Sequence, residues 1–181
     1  MAAPGFQPEG WGPDTSIPHP AMPRIENSLF VNAPPERCFD LSLSIDLHVR
    51  TAEGSGEQAV GGVTSGLIGL GEEVTWRARH LGVVQHLTTR ITAFDRPRHF
   101  RDSMVRGAFA RFDHDHDFHA EGTGTRMTEV FDFAAPLGPL GRIAERLFLT
   151  AYMRRFLNTR NAMIKRVAES DEWRQYLPSD A

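Results

Sequence analysis

The amino-acid sequence predicts one α+β domain, in which an antiparallel sheet of about six to seven strands wraps around a long C-terminal helix. Three observations lead to this prediction. Apolar and polar residues alternate through residues 72–134, which is the period of strands with one buried face. The period then changes to that of an amphipathic helix over residues 137–170. Two shorter helical segments follow the first strand.

The length and the proline distribution define the predicted boundaries of this domain. A chain of 181 residues, 40% of them hydrophobic, suits a single buried core. Residues 1–24 hold six of the 12 prolines, which lack a backbone donor and interrupt helices and strands. We therefore expect a flexible N-terminal tail over residues 1–24, a folded domain over residues 25–170 and a C-terminal tail over residues 171–181.

The first predicted strand, residues 25–33, leads into two short helices over residues 34–53. Consecutive prolines open this segment, and they suit the first turn of a helix because a backbone N–H has no partner there. Three apolar residues spaced four apart would share one helical face: Phe39, Leu43 and Leu47. Ser42 and Ser44 compete for backbone hydrogen bonds, which predicts a break between the two helices.

The middle of the chain is predicted to form an antiparallel meander. A glycine-rich segment over residues 57–71 holds one strand or two and a loop. Five clearer strands follow, at residues 72–82, 83–95, 98–105, 109–120 and 125–136. Residues typical of turns separate them, namely Gly82, Pro97, Gly107 and the EGTG run at 121–124.

Residues 137–170 are predicted to contain one amphipathic helix of roughly 25 to 30 residues. Its predicted apolar face is made by Leu140, Ala144, Leu147, Phe148, Ala151, Tyr152, Phe156, Met163 and Val167. A helix about 40 Å long can bury such a face only against a structure of similar length. In this chain that structure is the sheet.

Composition excludes several classes of protein. The formal net charge of −3 gives no basic surface of the kind that nucleic-acid binders present. A single cysteine, Cys38, excludes an internal disulfide and favours a reducing compartment. No apolar run approaches the roughly 18 residues that span a bilayer, and the first residues lack the pattern of a signal peptide. We expect a cytoplasmic protein without stable membrane insertion.

The segment RFDHDHDFHA at residues 111–120 contains three histidines and three aspartates between and beside two phenylalanines. Successive side chains of a strand point to opposite faces. One face therefore carries Phe112, His114, His116 and Phe118, and the other carries Asp113, Asp115, Asp117 and His119. The face with the phenylalanines should be buried, so that the aspartates and His119 point to solvent.

The turn after this strand predicts which residues lie opposite the histidines. A turn centred between Gly122 and Thr123 gives three inward-facing pairs: Phe118 with Met127, His116 with Glu129, and His114 with Phe131. Directly opposed side chains have Cβ atoms about 4.5–5.5 Å apart. His116 and Glu129 are therefore expected to be within hydrogen-bonding reach. Asp102 shares a face with Phe100 and Met104 and is expected near the histidines.

The order of these elements is that of the helix-grip fold, and the chain resembles START-like (SRPBCC) proteins over about residues 25–169. This superfamily groups birch-pollen-allergen-like proteins, polyketide cyclase/dehydrases and lipid-transfer domains. The resemblance rests on APPERCFDL at 33–41, GEEVTWRARHLG at 71–82, ITAFDRPRHFRD at 91–102, FDHDHDFHAEGTGTRMTEVFDFAAPLGPLG at 112–141, and the long helix. Bacterial single-domain proteins of the polyketide cyclase/dehydrase type are the most similar members.

The resemblance implies a START-like ligand-binding domain with a cavity between the sheet and the helix. The implied function is binding of a small hydrophobic molecule that is aromatic, polyketide-like or lipid-like, with no cofactor. The residues expected to line the cavity are Trp76, Asp102, Met104, Phe112, Phe118, Met127, Phe131, Phe148 and Tyr152. An aromatase/cyclase-type enzyme is the alternative, with His116, Glu129 and His114 as its catalytic groups. A third interpretation is an interaction module with an incidental pocket.

Two interpretations of the histidines stay open at this point. They form either a site that moves protons or binds an anion, or a buried polar cluster that satisfies its own hydrogen bonds. A metal site needs a third inward ligand, for which Glu129 would have to serve, and no metal is expected. Motifs for serine hydrolases, phosphate loops and dinucleotide binding do not occur in the sequence.

Overall fold

The computed structural model describes residues 23–52, 56–80, 82–136 and 138–177. Its main elements are β1 (Arg24–Val31), α1 (Pro35–Leu43), α2 (Ile45–Thr51), β2 (Gln58–Gly62), β3 (Glu73–His80), β4 (Val83–Asp95), β5 (His99–Arg106), β6 (Arg111–Glu121), β7 (Gly124–Ala134), α3 (Gly138–Ala144) and α4 (Thr150–Ala168). A π-helical turn (Glu145–Leu149) joins α3 to α4, and a 3-10 turn (Asp171–Gln175) follows α4. The predicted α+β helix-grip architecture is confirmed.

The seven strands form one antiparallel sheet in the order β1-β7-β6-β5-β4-β3-β2. Strands β2 to β7 are a meander, and β1 pairs with the free edge of β7. Gly122 occupies the tight turn between β6 and β7 with a φ of 58°, a conformation that glycine adopts without strain. Gly124 allows β1 to approach β7, because a Cβ there would lie 2.2 Å from the carbonyl oxygen of Val31.

Helices α1 and α2 cover one end of the sheet, and the predicted serine break lies between them. Ser44 has an extended backbone and accepts a hydrogen bond from the backbone N–H of Leu47 at 3.3 Å, which caps α2. Phe39 of α1 is fully buried and packs edge-on against Phe100 and Phe118, at ring-centroid distances of 5.5 and 5.4 Å. This aromatic packing fills the space between α1 and the sheet.

The predicted apolar face of the long helix is correct for its second half only. Of the predicted residues in α4, Val167 is buried and Phe156 and Met163 are half-buried. The helix also buries Leu157 and Ile164, which were not part of the prediction. Leu140 and Leu147 are 71% and 75% exposed, although both were assigned to the buried face. Leu147 lies in the π-helical turn and Leu140 precedes it. The wider turn changes the angular spacing of side chains, so a face extrapolated from α4 at 3.6 residues per turn does not continue through it. Ala151, next to this turn, is exposed as well.

The predicted C-terminal tail also needs correction, because residues 171–177 pack on the domain. Leu177 is buried in the main core, and Trp173 and Tyr176 pack against that core. The guanidinium of Arg37 lies 4.5 Å over the ring of Trp173. Apolar side chains spaced one turn apart after α4 made this packing possible.

The N-terminal boundary shifts by one residue. Arg24, predicted as part of the tail, is the first residue of β1. The backbone N–H of Phe133 also donates to the carbonyl of Pro23 at 3.2 Å, so the sheet extends its hydrogen bonding to that residue. The rest of the predicted tail, residues 1–22, lies outside the described residues. None of the described helices is long and apolar enough to cross a membrane.

Candidate functional site

A cavity of about 330 Å³ lies between the inner face of the sheet and the segment formed by α3, the π-helical turn and α4. Seven residues predicted for the site border it: Trp76, Asp102, Phe112, His114, Phe131, Phe148 and Tyr152. Five of these seven side chains are aromatic. Exposed Leu140 and half-exposed Phe148 also border the cavity, which places α3 and the π-helical turn at its rim.

Three of the predicted lining residues do not reach the cavity. Phe118 and Met127 are 2% and 1% exposed and belong to the core beneath α1. They share the inward face of β6 and β7 with the lining residues, but α1 covers their end of the hairpin. Met104 is half-buried and packs beside the cluster of Phe112 and Phe131 without bordering the cavity.

A cluster of ionisable side chains forms where three strands meet below the cavity. The register of β6 and β7 places His116 opposite Glu129, as predicted from the turn. The register of β5 and β6 places Asp102 opposite His114. All four side chains point inward because strand residues two apart share a face. The strand hydrogen bonds therefore fix the positions of two carboxylates around two imidazoles.

His116 lies between the two carboxylates. Its Nε2 is 3.1 Å from Asp102 Oδ1, and its Nδ1 is 3.2 Å from Glu129 Oε1. The ring also stacks on Phe100 with a centroid distance of 4.2 Å. His116 and Glu129 are only 1% and 2% exposed, and neither borders the cavity. The expectation that His116 faces the cavity is therefore corrected: it lies behind the wall.

His114 is the histidine at the wall, together with Asp102. Its Nδ1 is 3.7 Å from Asp102 Oδ1, and its Nε2 is 3.9 Å from Glu129 Oε1. The His114 and His116 rings are 3.9 Å apart between centroids. Both imidazoles thus have one nitrogen toward Asp102 and the other toward Glu129.

The two histidines differ in charge. Burial alone would lower the pKa of His116, but its contacts with Asp102 and Glu129 outweigh burial and raise that pKa above the usual value. Burial and the neighbouring His116 lower the pKa of His114 to about 3. Burial opposes ionisation of both carboxyls, yet the histidines hold the pKa values of Asp102 and Glu129 below their usual range. His116 is therefore the ring that holds a proton most firmly, and His114 is neutral.

Two polar residues of α4, neither of them among the predicted site residues, reach the same region. Asn161 is buried and donates from Nδ2 to Glu129 Oε2 at 2.5 Å. Arg160 borders the cavity and donates from Nη2 to the carbonyl oxygen of Ser42 at 3.2 Å. A signal existed for Asn161, because it lies four residues after Leu157 and three before Ile164, on the buried face of the helix.

A second polar pair was also missed. His48 of α2 and Glu57 both border the cavity, with 2.9 Å between His48 Nε2 and Glu57 Oε1. The His48 ring stacks on the indole of Trp76 at 4.1 Å between centroids. The sequence pattern does not indicate His48, because the apolar residue with the four-residue spacing is its neighbour Leu47. The cavity therefore has a histidine beside a carboxylate at two separate places in a largely apolar wall.

Comparison with known families gives a match over most of the chain. The sequence model of the family described as "Polyketide cyclase / dehydrase and lipid transport" matches residues 22–169. This range begins next to β1 and ends just after α4. No curated protein matches the chain.

Solved structures share the fold at low sequence identity. The protein TTHA0849 from Thermus thermophilus is 18% identical with a TM-score of 0.65, covering 80% of this chain and 95% of that one. A START superfamily protein from Mycobacterium smegmatis is 10% identical with a TM-score of 0.60, covering 81% and 97%. Ginseng major latex-like protein 151 from Panax ginseng is 13% identical with a TM-score of 0.57, covering 88% and 100%. Identities this low show a common fold.

Proposed function

The chain belongs to the polyketide cyclase/dehydrase and lipid transport family, and on this basis we propose that it binds a small hydrophobic molecule in the cavity between sheet and helix. The molecule is aromatic, polyketide-like or lipid-like. The observation that carries the proposal is the cavity itself, since its volume of about 330 Å³ lies in the range of small-molecule sites.

The wall of the cavity favours a flat, conjugated ligand over a saturated chain. Seven aromatic side chains border it: Trp76, Phe109, Phe112, Phe131, Phe148, Tyr152 and Phe156. Aromatic rings gain from stacked and edge-on contacts with another π-system in addition to the area they bury. A polyketide-like or other aromatic molecule would make such contacts on several sides at once.

The polar groups of the wall would orient that ligand. Asp102 and His114 lie on the strands at one place, and His48 with Glu57 lies at another. A few fixed polar groups in an apolar pocket select ligands that carry matching hydroxyl or carbonyl groups. We expect the ligand to have at least one hydroxyl or carbonyl group able to reach Asp102 or His114.

The alternative function is that of an aromatase/cyclase-type enzyme, and the linked groups Asp102, His116 and Glu129 favour it. His116 and Glu129 lie behind the wall, so a proton from a bound molecule would pass first to Asp102 or His114. An efficient general base has a pKa near the working pH. The pKa values of Asp102 and His114 both lie well below neutrality, which makes them weak bases. For that reason binding is preferred over catalysis.

Native mass spectrometry of the purified full chain, with extraction of any co-purified molecule, tests the proposal directly. A fluorescent aromatic probe such as anilinonaphthalene sulfonate gives a quantitative assay. Ala78→Phe places a ring inside the cavity and should weaken probe binding at least tenfold, whereas Arg77→Phe adds the same ring to the exposed face of β3 and should change it less than twofold. Equal binding by the wild type and a folded Ala78→Phe variant would refute the proposal.

A further inference from the structure

The polar cluster has the composition and the geometry of a metal site. We propose that Asp102, His114 and His116 bind one divalent transition-metal ion, with Zn²⁺ as the reference ion, at the wall of the cavity. The ion would bind in the absence of any organic ligand, so its binding is independent of the proposed function.

The three side chains converge closely enough to share an ion. One ligand atom from each lies within 4.8 Å of the other two. Asp102 Oδ1 is 3.1 Å from His116 Nε2 and 3.7 Å from His114 Nδ1. In a tetrahedral zinc site, with bonds of about 2.0–2.2 Å, ligand atoms lie about 3.3–3.5 Å apart. The two separations lie on either side of that value, so small side-chain rotations would complete the site.

Glu129 supplies the support that metal-bound histidines require. Such histidines donate their second ring N–H to a carboxylate or carbonyl, which fixes the orientation of the ring. His116 Nδ1 and His114 Nε2 both face Glu129 Oε1, at 3.2 and 3.9 Å. Asn161 holds the other oxygen of this carboxylate. Asp102 therefore lies on the metal side of the two imidazole rings, and Glu129 lies on the opposite side.

The buried atoms behind the rings point to the same arrangement. Among the described residues, His116 Nδ1, His114 Nε2 and Glu129 Oε1 have no partner that meets hydrogen-bond geometry. Buried polar atoms without partners are rare, and each calls for an explanation. An ion bound by the opposite nitrogens would fix both rings as neutral donors, each with its N–H toward Glu129.

The site would keep an open position toward the cavity. Asp102 and His114 border the cavity and His116 lies behind them, so the side of the ion away from His116 faces the space where a ligand would lie. Two imidazoles and one carboxylate suit Zn²⁺, Fe²⁺, Co²⁺ or Ni²⁺ better than Mg²⁺ or Ca²⁺, which prefer oxygen ligands alone. The fourth position could take water or an oxygen atom of a bound molecule.

The other histidine–carboxylate pairs differ in composition. On the outer face, His99 Nε2 is 2.9 Å from Asp115 Oδ1, but Arg101 donates to both oxygens of that carboxylate. A guanidinium in that position repels a second cation. His48 and Glu57 provide one nitrogen and one carboxylate, with Trp76 stacked on the ring. These pairs serve as internal controls.

The test uses the full chain after chelator treatment and dialysis, titrated with Zn²⁺ by calorimetry. We expect one ion per chain with a Kd below about 10 μM. Asp102→Asn, which keeps the shape of the side chain, should weaken binding at least tenfold, and Glu129→Gln should weaken it about 10- to 100-fold. Asp115→Asn and His119→Ala change the outer face of β6, the strand that holds His114 and His116, and they should change the Kd less than twofold. Circular dichroism of each variant establishes that it is folded.

A second measurement identifies the bound atoms. Nitrogen-15 NMR of the histidine rings should show Zn²⁺ on Nδ1 of His114 and Nε2 of His116, with His119 unchanged. Binding weaker than about 10 μM by the folded wild type would overturn the proposal. An equal loss of affinity in His119→Ala and Asp102→Asn would overturn it too, because the ion would then lie on the surface. Neither result affects probe binding in the cavity, which is measured without metal.

Discussion

Asn161 of α4 and Glu129 of β7 are joined by a hydrogen bond from Nδ2 to Oε2 of 2.5 Å, inside the protein. The two side chains are 4% and 2% exposed. This contact connects the long helix to the central polar cluster of the sheet. It places a neutral donor against one oxygen of a buried carboxylate whose other oxygen faces two histidines.

The first prediction concerns this contact. Asn161→Asp would put a second carboxylate against Glu129 in a buried place, where like charges cannot both be solvated. We expect a loss of at least about 2 kcal/mol in the free energy of unfolding, measured by urea denaturation near neutral pH. Asn158→Asp makes the same change on the exposed side of α4 and should cost no more than about 0.5 kcal/mol. Equal losses would mean that the helix is rotated differently.

The second prediction concerns the core beneath α1. Phe39 has no exposed surface and packs against three other phenylalanine rings, so Phe39→Ala should cost about 3–5 kcal/mol. Leu147→Ala removes an apolar side chain that is 75% exposed in the π-helical turn, and we expect a change within about 0.5 kcal/mol. Thermal or urea unfolding decides this, and a larger loss for Leu147→Ala would show that the π-helical turn packs on the sheet.

The third prediction concerns Cys38 and alkaline pH. Burial raises the pKa of this thiol from 9.0 to about 11. Above pH 9 the unfolded chain loses the thiol proton while the folded chain keeps it, so stability falls as the pH rises from about 9 to 11. We expect Cys38 to account for a loss of about 2–3 kcal/mol over that interval. Cys38→Ala should lose less stability between pH 8 and 11 than the wild type does, and parallel pH profiles would contradict the prediction.

The fourth prediction concerns the N-terminal residues. Their proline content and their lack of a periodic apolar face indicate that removal of residues 1–22 leaves the domain folded. The shortened chain should unfold within about 1 kcal/mol of the full chain in urea. A loss of more than about 2 kcal/mol would mean that the segment contributes to the core.

The fifth prediction concerns the opposite end of the chain. Removal of residues 171–181 takes away buried Leu177 and the indole of Trp173 that lies against Arg37, so we expect a loss of more than about 2 kcal/mol. Glu172→Ala removes a carboxylate that pairs with Arg50 and Arg166 at the surface and should cost less than about 1 kcal/mol. If the truncated chain is as stable as the full chain, the packing of this segment contributes nothing measurable.

Much of the sheet could be predicted from the sequence because strand geometry is strict. The alternation of side chains has a period of two, and one tight turn then determines every pair along two strands. His116 opposite Glu129 and His114 opposite Phe131 followed from the position of Gly122 alone. The proximity of Asp102 to the histidines followed from the same alternation in β5.

The contributions of the helices could not be predicted in the same way. The rotation of α4 about its axis is set by packing and by the preceding π-helical turn. Arg160 therefore has no signal in the sequence, and Asn161 has only its spacing from Leu157 and Ile164. The point along β6 where the cavity ends could not be predicted either, because Phe112 and Phe118 lie on one continuous face of that strand. Phe39 packs on Phe118 and makes it part of the core, whereas Phe112 is left to border the cavity.

The alternating acidic and histidine residues of β6 make the length of that strand more critical than any single side chain in it. Insertion or deletion of one residue between Phe112 and Phe118 would exchange the two faces beyond the change. A change before Asp115 would bury its carboxylate, which now pairs with Arg101 and His99 outside, and would turn His116 toward water. Among related proteins, differences in chain length should therefore fall in the turns at residues 107–110 and 122–123, while β6 keeps a constant number of residues.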